Sequence, residues 1–227
     1  PRPLSQPKAL SDGSMVFRIG VITDLDNDSK FDDGWKSYFR RGDLTLSANH
    51  ESASVKWDAG DATLHTEVAS GGRAMELSDL AVFNGHLITV DDRTGILYKI
   101  AKPEDDNNSY VHSWVIMGDG PGNVTKQFKG EWMTVKDRHL YVGGLGKEWT
   151  NSKGDYINNH PMWVKRIDQF GSIEHIEWEE QYKKVRGAMG ITFPGYMVHE
   201  AVQWSDVHRK WFFLPRRVSM ETYDEEK

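Results

Sequence analysis

The chain of 227 residues contains no cysteine. That absence excludes a disulfide scaffold, a thiolate zinc centre and a cysteine nucleophile. It leaves the compartment open, because a chain this long buries a sizeable core without covalent staples. Long apolar runs are missing as well: none approaches the roughly 18 residues a membrane-spanning helix needs, so a soluble chain without membrane contact is expected. Residues 1–16 hold no apolar signal core and read as a polar, flexible lead-in. Positive charge is not in excess either. With 34 acidic against 28 basic side chains the net charge is −6, which disfavours non-specific nucleic-acid binding, and no nucleic-acid partner is expected.

Aromatics and glycine are abundant: 9 Trp, 8 Tyr, 9 Phe and 21 Gly, a composition that suits β-structure. Short apolar runs recur at 17–26, 38–46, 54–57, 80–83, 86–90, 95–100 and 113–117, and again at 132–135, 139–143, 163–168, 201–204 and 210–214. Turn formers such as Asn84-Gly85, Thr94-Gly95 and Lys136-Asp137 separate them. One stretch reads as helical. Over 174–189, Trp178, Tyr182, Val185 and Met189 recur at helical spacing. No Pro- or Ser-rich linker divides the chain, so residues 17–227 are expected to form one all-β domain. Sequons at Asn27, Asn107 and Asn123 lean toward a secretory route.

A weak internal repeat organises the strands. The segment from Ser78 to Val90 can be laid over that from Glu131 to Gly143, with nine residues from the leading polar residue to the matching Leu87 or Leu140. The segment opening at Glu200 follows the same plan with a longer turn. Each unit is a polar residue, a short apolar strand, a tight turn and a second strand. Such units are the blades of a β-propeller, whose inner strands converge on one axis. That geometry gathers Ser78, Glu131 and Glu200, an oxygen-rich set suited to a hard cation such as calcium.

Other motifs carry two readings each. Asp24-Leu-Asp26-Asn-Asp28 starts like an EF-hand loop, but Ser29 and Trp35 stand where Gly and Glu are required. As a strand end, Asp24 and Asp26 share one side, where they either pair with a cation or are simply solvated. Gly143-Gly-Leu-Gly-Lys147 is not a P-loop, since Tyr141 replaces its first Gly and Glu148 follows the Lys. His199-Glu200 lacks the second histidine of a zincin, and no nucleophile elbow supports a serine triad. In Asp91-Asp92-Arg93 one carboxylate can enter a central pocket, or the run can be a turn led by Asp. Arg216 and Arg217 can clamp phosphate or join surface ion pairs. Trp149, Trp163 and Trp204 can stack a base or serve as core.

Seven stretches together resemble one family. They are Ile22-Thr-Asp-Leu-Asp26, Gly72-Arg-Ala-Met-Glu-Leu-Ser-Asp-Leu80, Val90-Asp-Asp-Arg-Thr-Gly95, Phe128-Lys-Gly-Glu-Trp132, Tyr141-Val-Gly-Gly-Leu-Gly-Lys-Glu-Trp149, Gly195-Tyr-Met-Val-His-Glu200 and Trp211-Phe-Phe-Leu-Pro-Arg-Arg217. In this order they resemble the calcium-activated apyrases, a family of soluble calcium-activated nucleotidases of animals and salivary apyrases of blood-feeding arthropods. The resemblance implies a five-bladed β-propeller with calcium in its central tunnel, hydrolysing nucleoside di- and triphosphates such as GDP, UDP and ADP. The family's axial calcium ligands map onto Ser78, Glu131 and Glu200. Asp24, Asp26 or Asp92 is then expected to orient or deprotonate the attacking water. Arg93, Lys147, Arg216 and Arg217 are expected at the phosphates, Trp149 or Trp163 at the base, with Glu148 beside them. Family members are longer, and their last blade adds a Ser and a Glu to the calcium. This chain is therefore expected to supply about two-thirds of the propeller. A secreted or ER/Golgi-lumen protein, glycosylated and capable of homodimerising, fits the same resemblance. The alternative is a non-catalytic calcium-dependent propeller that binds a glycan or a protein.

Overall fold

A computed structural model describes residues 6–224. The first sheet contains β1 (Lys8–Ala9), β2 (Met15–Ile22), β3 (Lys30–Phe31), β4 (Gly34–Leu46), β5 (Ala53–Trp57) and β6 (Ala62–Thr66). The long β4 is its spine, with β2 along one side and β5 and β6 sharing the other. The pair Lys8–Ala9, within the expected lead-in, is hydrogen-bonded to the start of β2.

The second sheet is an antiparallel meander of β7 (Leu77–Phe83), β8 (His86–Asp91), β9 (Ile96–Ala101) and β10 (Tyr110–Ile116). The third repeats it with β11 (Trp132–Lys136), β12 (His139–Gly143), β15 (Trp163–Ile167) and β16 (Ile173–Glu177). A small hairpin, β13 (Trp149–Thr150) with β14 (Tyr156–Asn158), is inserted between β12 and β15. After α1 (Glu179–Gly187), a fourth sheet pairs β17 (Tyr196–Ser205) with β18 (Lys210–Ser219). The tight turns have a local cause. Asn84 and Gly85 carry φ of 45° and 76°, and Asp137 and Arg138 carry 49° and 61°. Two successive left-handed residues match the twist of a two-residue hairpin, which is why these polar dipeptides join β7 to β8 and β11 to β12.

Successive sheets pack face to face. Phe39 and Leu64 of the first meet Leu77, Ile96 and Tyr98 of the second. Ile88, Val90 and Leu97 of the second meet Met133, Leu140 and Ile167 of the third. Trp132, Tyr141 and Val164 of the third meet Trp178, Tyr182 and Val202. The first strands β2, β7, β11 and β17 touch in chain order. Side chains on these strands also hold the next one. Asp79 Oδ2 accepts from the Met133 amide at 2.6 Å, and Thr134 Oγ1 accepts from the Trp204 amide at 3.1 Å. The fold is all-β and propeller-like.

The predicted helix over 174–189 needs correction. Residues 173–177 are β16, paired with β15 from Trp163↔Glu177 to Ile167↔Ile173. The helical face begins at Trp178, which is buried with Tyr182, whereas Met189 is 57% exposed. Period-3.6 spacing belongs to the second half alone; in the first half Ile173 and Ile176 stand three apart on a strand that β15 pairs. The strand at 62–66, not foreseen, is held by β4.

Candidate metal and phosphate site

The turn from β8 into β9 sets the centre of the site. Asp91 is fully buried; its carboxylate accepts from the amides of Met75 and Arg93 at 2.9 and 3.0 Å and from the Thr94 hydroxyl at 2.8 Å. Gly95 closes the turn at φ +66°, where an added Cβ would lie 2.7 Å from the Met117 carbonyl oxygen. With Asp91 consumed as turn builder, Asp92 and Arg93 are turned into a basin of about 420 Å³. Both readings of this motif are therefore realised, one by each aspartate.

Asp24, Asp26, Glu131, Glu200 and Arg216 line the same basin, joined by Arg73, Glu76 and Lys129. Asp24 and Asp26 are not on a strand end. β2 stops at Ile22, and Asp26, at φ +48°, opens a short 3-10 turn whose amide donates to Asp24 Oδ1 at 2.8 Å. Glu131 directly precedes β11, and Glu200 lies within β17. Ser78, near the start of β7, donates to Glu131 Oε2 at 3.5 Å. Ser78 thus meets Glu131 directly, and Glu131 and Glu200 share the basin.

The charges are unevenly satisfied. Arg73 grips Glu76 with two bonds of 2.6 and 2.7 Å and reaches Asp26 at 3.1 Å. Lys129 pairs with Asp92 Oδ2 and, at 2.9 Å, with Glu131 Oε1. Arg216 pairs with Glu200. Asp92 Oδ1 is buried with no hydrogen-bond partner. Carboxylate oxygens of Asp24, Glu76 and Asp92 lie within 4.8 Å of one another. Burial pushes Glu76 up to about 7, opposed by Arg73 and aided by the Asp92 charge. Burial likewise pushes Glu131 up to about 7 against the pull of Lys129. Asp24 is raised by burial and by its neighbours Asp92 and Asp26. Crowded carboxylates that hold protons this tightly, around an unpaired buried oxygen, form a donor set that a hard divalent cation fits.

Other residues expected at the site lie apart. Lys147 is buried, donates to the Glu148 carbonyl at 3.0 Å, and with Trp149 lines a second cavity of about 490 Å³. Arg217 stands 5.4 Å from the Tyr223 ring and lines a third cavity of about 470 Å³. Arg216, at an irregularity of the β17–β18 pairing, lines the acidic basin while Arg217 lines the third cavity, so the two do not form one clamp. Glu148 is enclosed in an ion pair with Arg186 at 2.6 Å. Trp163 opens β15 opposite Glu177 and lines none of these cavities, and Trp204 packs on Trp211. Arg73, Glu76 and Lys129 were missed at the sequence level. Two signals were available: the Arg73–Glu76 pair at spacing three, and Lys129 two residues before Glu131.

A family model for apyrases matches residues 24–227. The chain belongs to the apyrase family. It is 54% identical over 219 residues to Apyrase apy-1 of Caenorhabditis elegans, covering 96% of this chain and 60% of that protein. It is 49% identical over 225 residues to Soluble calcium-activated nucleotidase 1 of Rattus norvegicus, covering 98% and 54%. With the Apyrase of Cimex lectularius the identity is 46% over 215 residues, covering 93% and 57%. The chain therefore spans between 54% and 60% of the length of these apyrase relatives.

Proposed function

We propose that this apyrase chain takes part in calcium-dependent hydrolysis of nucleoside di- and triphosphates, on a five-bladed propeller whose axis passes through the acidic basin. The observation that carries the reading is the basin itself: six carboxylates and four cations, with Asp92 Oδ1 buried and unpaired among them. Asp24, Glu76, Asp92, Glu131 and Glu200, with Ser78 behind Glu131, would hold calcium. Bound calcium supplies neutralisation of phosphate charge and polarisation of a phosphoryl oxygen.

The chain's own groups do the rest. Arg93, whose closest carboxylate, Glu76, is 3.7 Å away, and Arg216 bind phosphate oxygens at the rim. Asp24 orients and deprotonates the attacking water. Of the three aspartates it is the one free for this role, since Asp92 is tied to Lys129 and the Asp26 side chain is 80% exposed. Lys147 and Trp149, in the second cavity, hold the nucleoside end. The same reading places the protein in the secretory route, where the exposed Asn27, Asn107 and Asn123 accept glycans and two copies associate. No helix among the described residues is long and apolar enough to cross a membrane.

The test is phosphate release from ADP, GDP and UDP across a calcium titration, followed by chelation. Release should rise with calcium and vanish with chelator. Glu131→Gln should shift calcium activation at least about tenfold upward. Release indifferent to calcium would sink the reading, and calcium binding without release would favour a non-catalytic binding propeller.

A further inference from the structure

Lys126 touches a wall of the second cavity and precedes, in the chain, a lysine of the acidic basin. It closes a turn in which the Asp119 amide donates to the Lys126 carbonyl at 2.9 Å. Three residues later the same segment delivers Lys129 into the basin. The Lys126 ammonium itself lies 3.6 Å from the centre of the Trp149 ring, a wall of the second cavity.

Its support is buried. Asp119 is 2% exposed, and its Oδ2 stands 3.7 Å from Lys126 Nζ and 3.6 Å from His160 Nδ1, with no hydrogen bond of its own. Below it, fully buried Lys165 donates to the Gly120 carbonyl and sits 2.9 Å from His175 Nδ1. The ammonium is thus aimed by a carboxylate and an indole face, without a short bond that would occupy it. Within the basin, Lys129 is engaged by Asp92 and Glu131, and Arg73 by Glu76. Burial first, then the charges of Lys129 and Arg93, works against the charged form of Lys126, with Asp119 opposing. Like charges gathered beside an aromatic wall call for an anion.

We propose that Lys126 is a substrate-binding residue of the nucleotide site, its ammonium holding the phosphate next to the nucleoside, with Asp119 as its positioning residue. The proposal rests on the nucleotide reading above. It explains why a lysine with half its side chain exposed is fixed over Trp149 rather than extended into water.

The experiment measures calorimetric binding of a non-hydrolysable nucleoside diphosphate with calcium present, beside steady-state phosphate release, on the full chain. Lys126→Met should weaken binding and raise KM about tenfold while kcat stays within about twofold, and Lys126→Arg should recover most of the loss. Asp119→Asn should raise KM by a smaller factor, and the double variant should be no worse than Lys126→Met alone. If Asp119→Asn fails to fold, the two Lys126 variants carry the test. Unchanged binding in Lys126→Met, or a fall in kcat at constant KM, overturns the proposal and leaves the hydrolase reading intact. A wild type that binds the analogue but releases no phosphate breaks the hydrolase reading, and the Lys126 assignment is then decided by the binding series. A wild type that binds no nucleotide overturns both.

Discussion

Glu148 and Lys147 are neighbours in a matched family stretch, yet their surroundings differ. Glu148, 5% exposed, meets the Arg186 guanidinium with two bonds of 2.7 and 2.6 Å, tying the β13 entry to α1. Removing one partner of a buried pair leaves an uncompensated charge. Glu148→Gln should therefore lower stability by about 3 kcal/mol in urea unfolding while KM for nucleotide stays unchanged; a large KM effect with normal stability would place Glu148 at the substrate instead. Lys165 offers a pH test away from the basin. Burial lowers its ammonium to about 8, so between pH 8 and the ordinary lysine range the unfolded chain binds the extra proton. Stability from this group is then present at high pH and lost as pH falls through about 8. The stability difference between wild type and Lys165→Met should shift in favour of wild type by a few kcal/mol from pH 7 to 10. A pH-independent difference would contradict that environment. At this scale the sequence was partly legible. Ser78, Glu131 and Glu200 stood out because a repeat marked equal positions, whereas Glu76 and Lys129 sit in inter-sheet connections that have no period to mark them.

Among elements, the strength of the fold lies in what passes between sheets. Asp79, at an irregularity in β7, accepts from its neighbour Leu80 and from Met133 of β11, both at 2.6 Å. Burial raises its carboxyl to about 6, and the two amides oppose that rise. Asp79→Ala strands two buried donors and should cost about 3 kcal/mol, measured by chemical denaturation; Asp79→Asn, which keeps an acceptor, should cost less. Equal losses in the two variants would argue against the amide bonds as the cause. Strands within each meander were legible from alternation and turn dipeptides, because their partners are adjacent in sequence. β6 and β16 were not: β6 pairs with β4 across the intervening β5, and the isoleucines of β16, Ile173 and Ile176, stand three apart, as on a helix. The helix start was blurred for the same reason: Trp178 ends a strand partner and begins a buried helical face.

Across the molecule, an excess of acid that first registered only as net charge acquires a location, where four sheets bring carboxylates from distant segments to one basin. Composition carried the all-β class, since aromatics and glycines served strands and turns as expected. Depth in the basin was not legible, because proton affinity depends on burial that no local pattern encodes. The side chains of Asp79 and Thr134 share a direction: each reaches from an earlier sheet to an amide of a later one. Neighbouring sheets are therefore latched by a side chain of one to the backbone of the next, so a substitution on one sheet is felt at an amide of its neighbour.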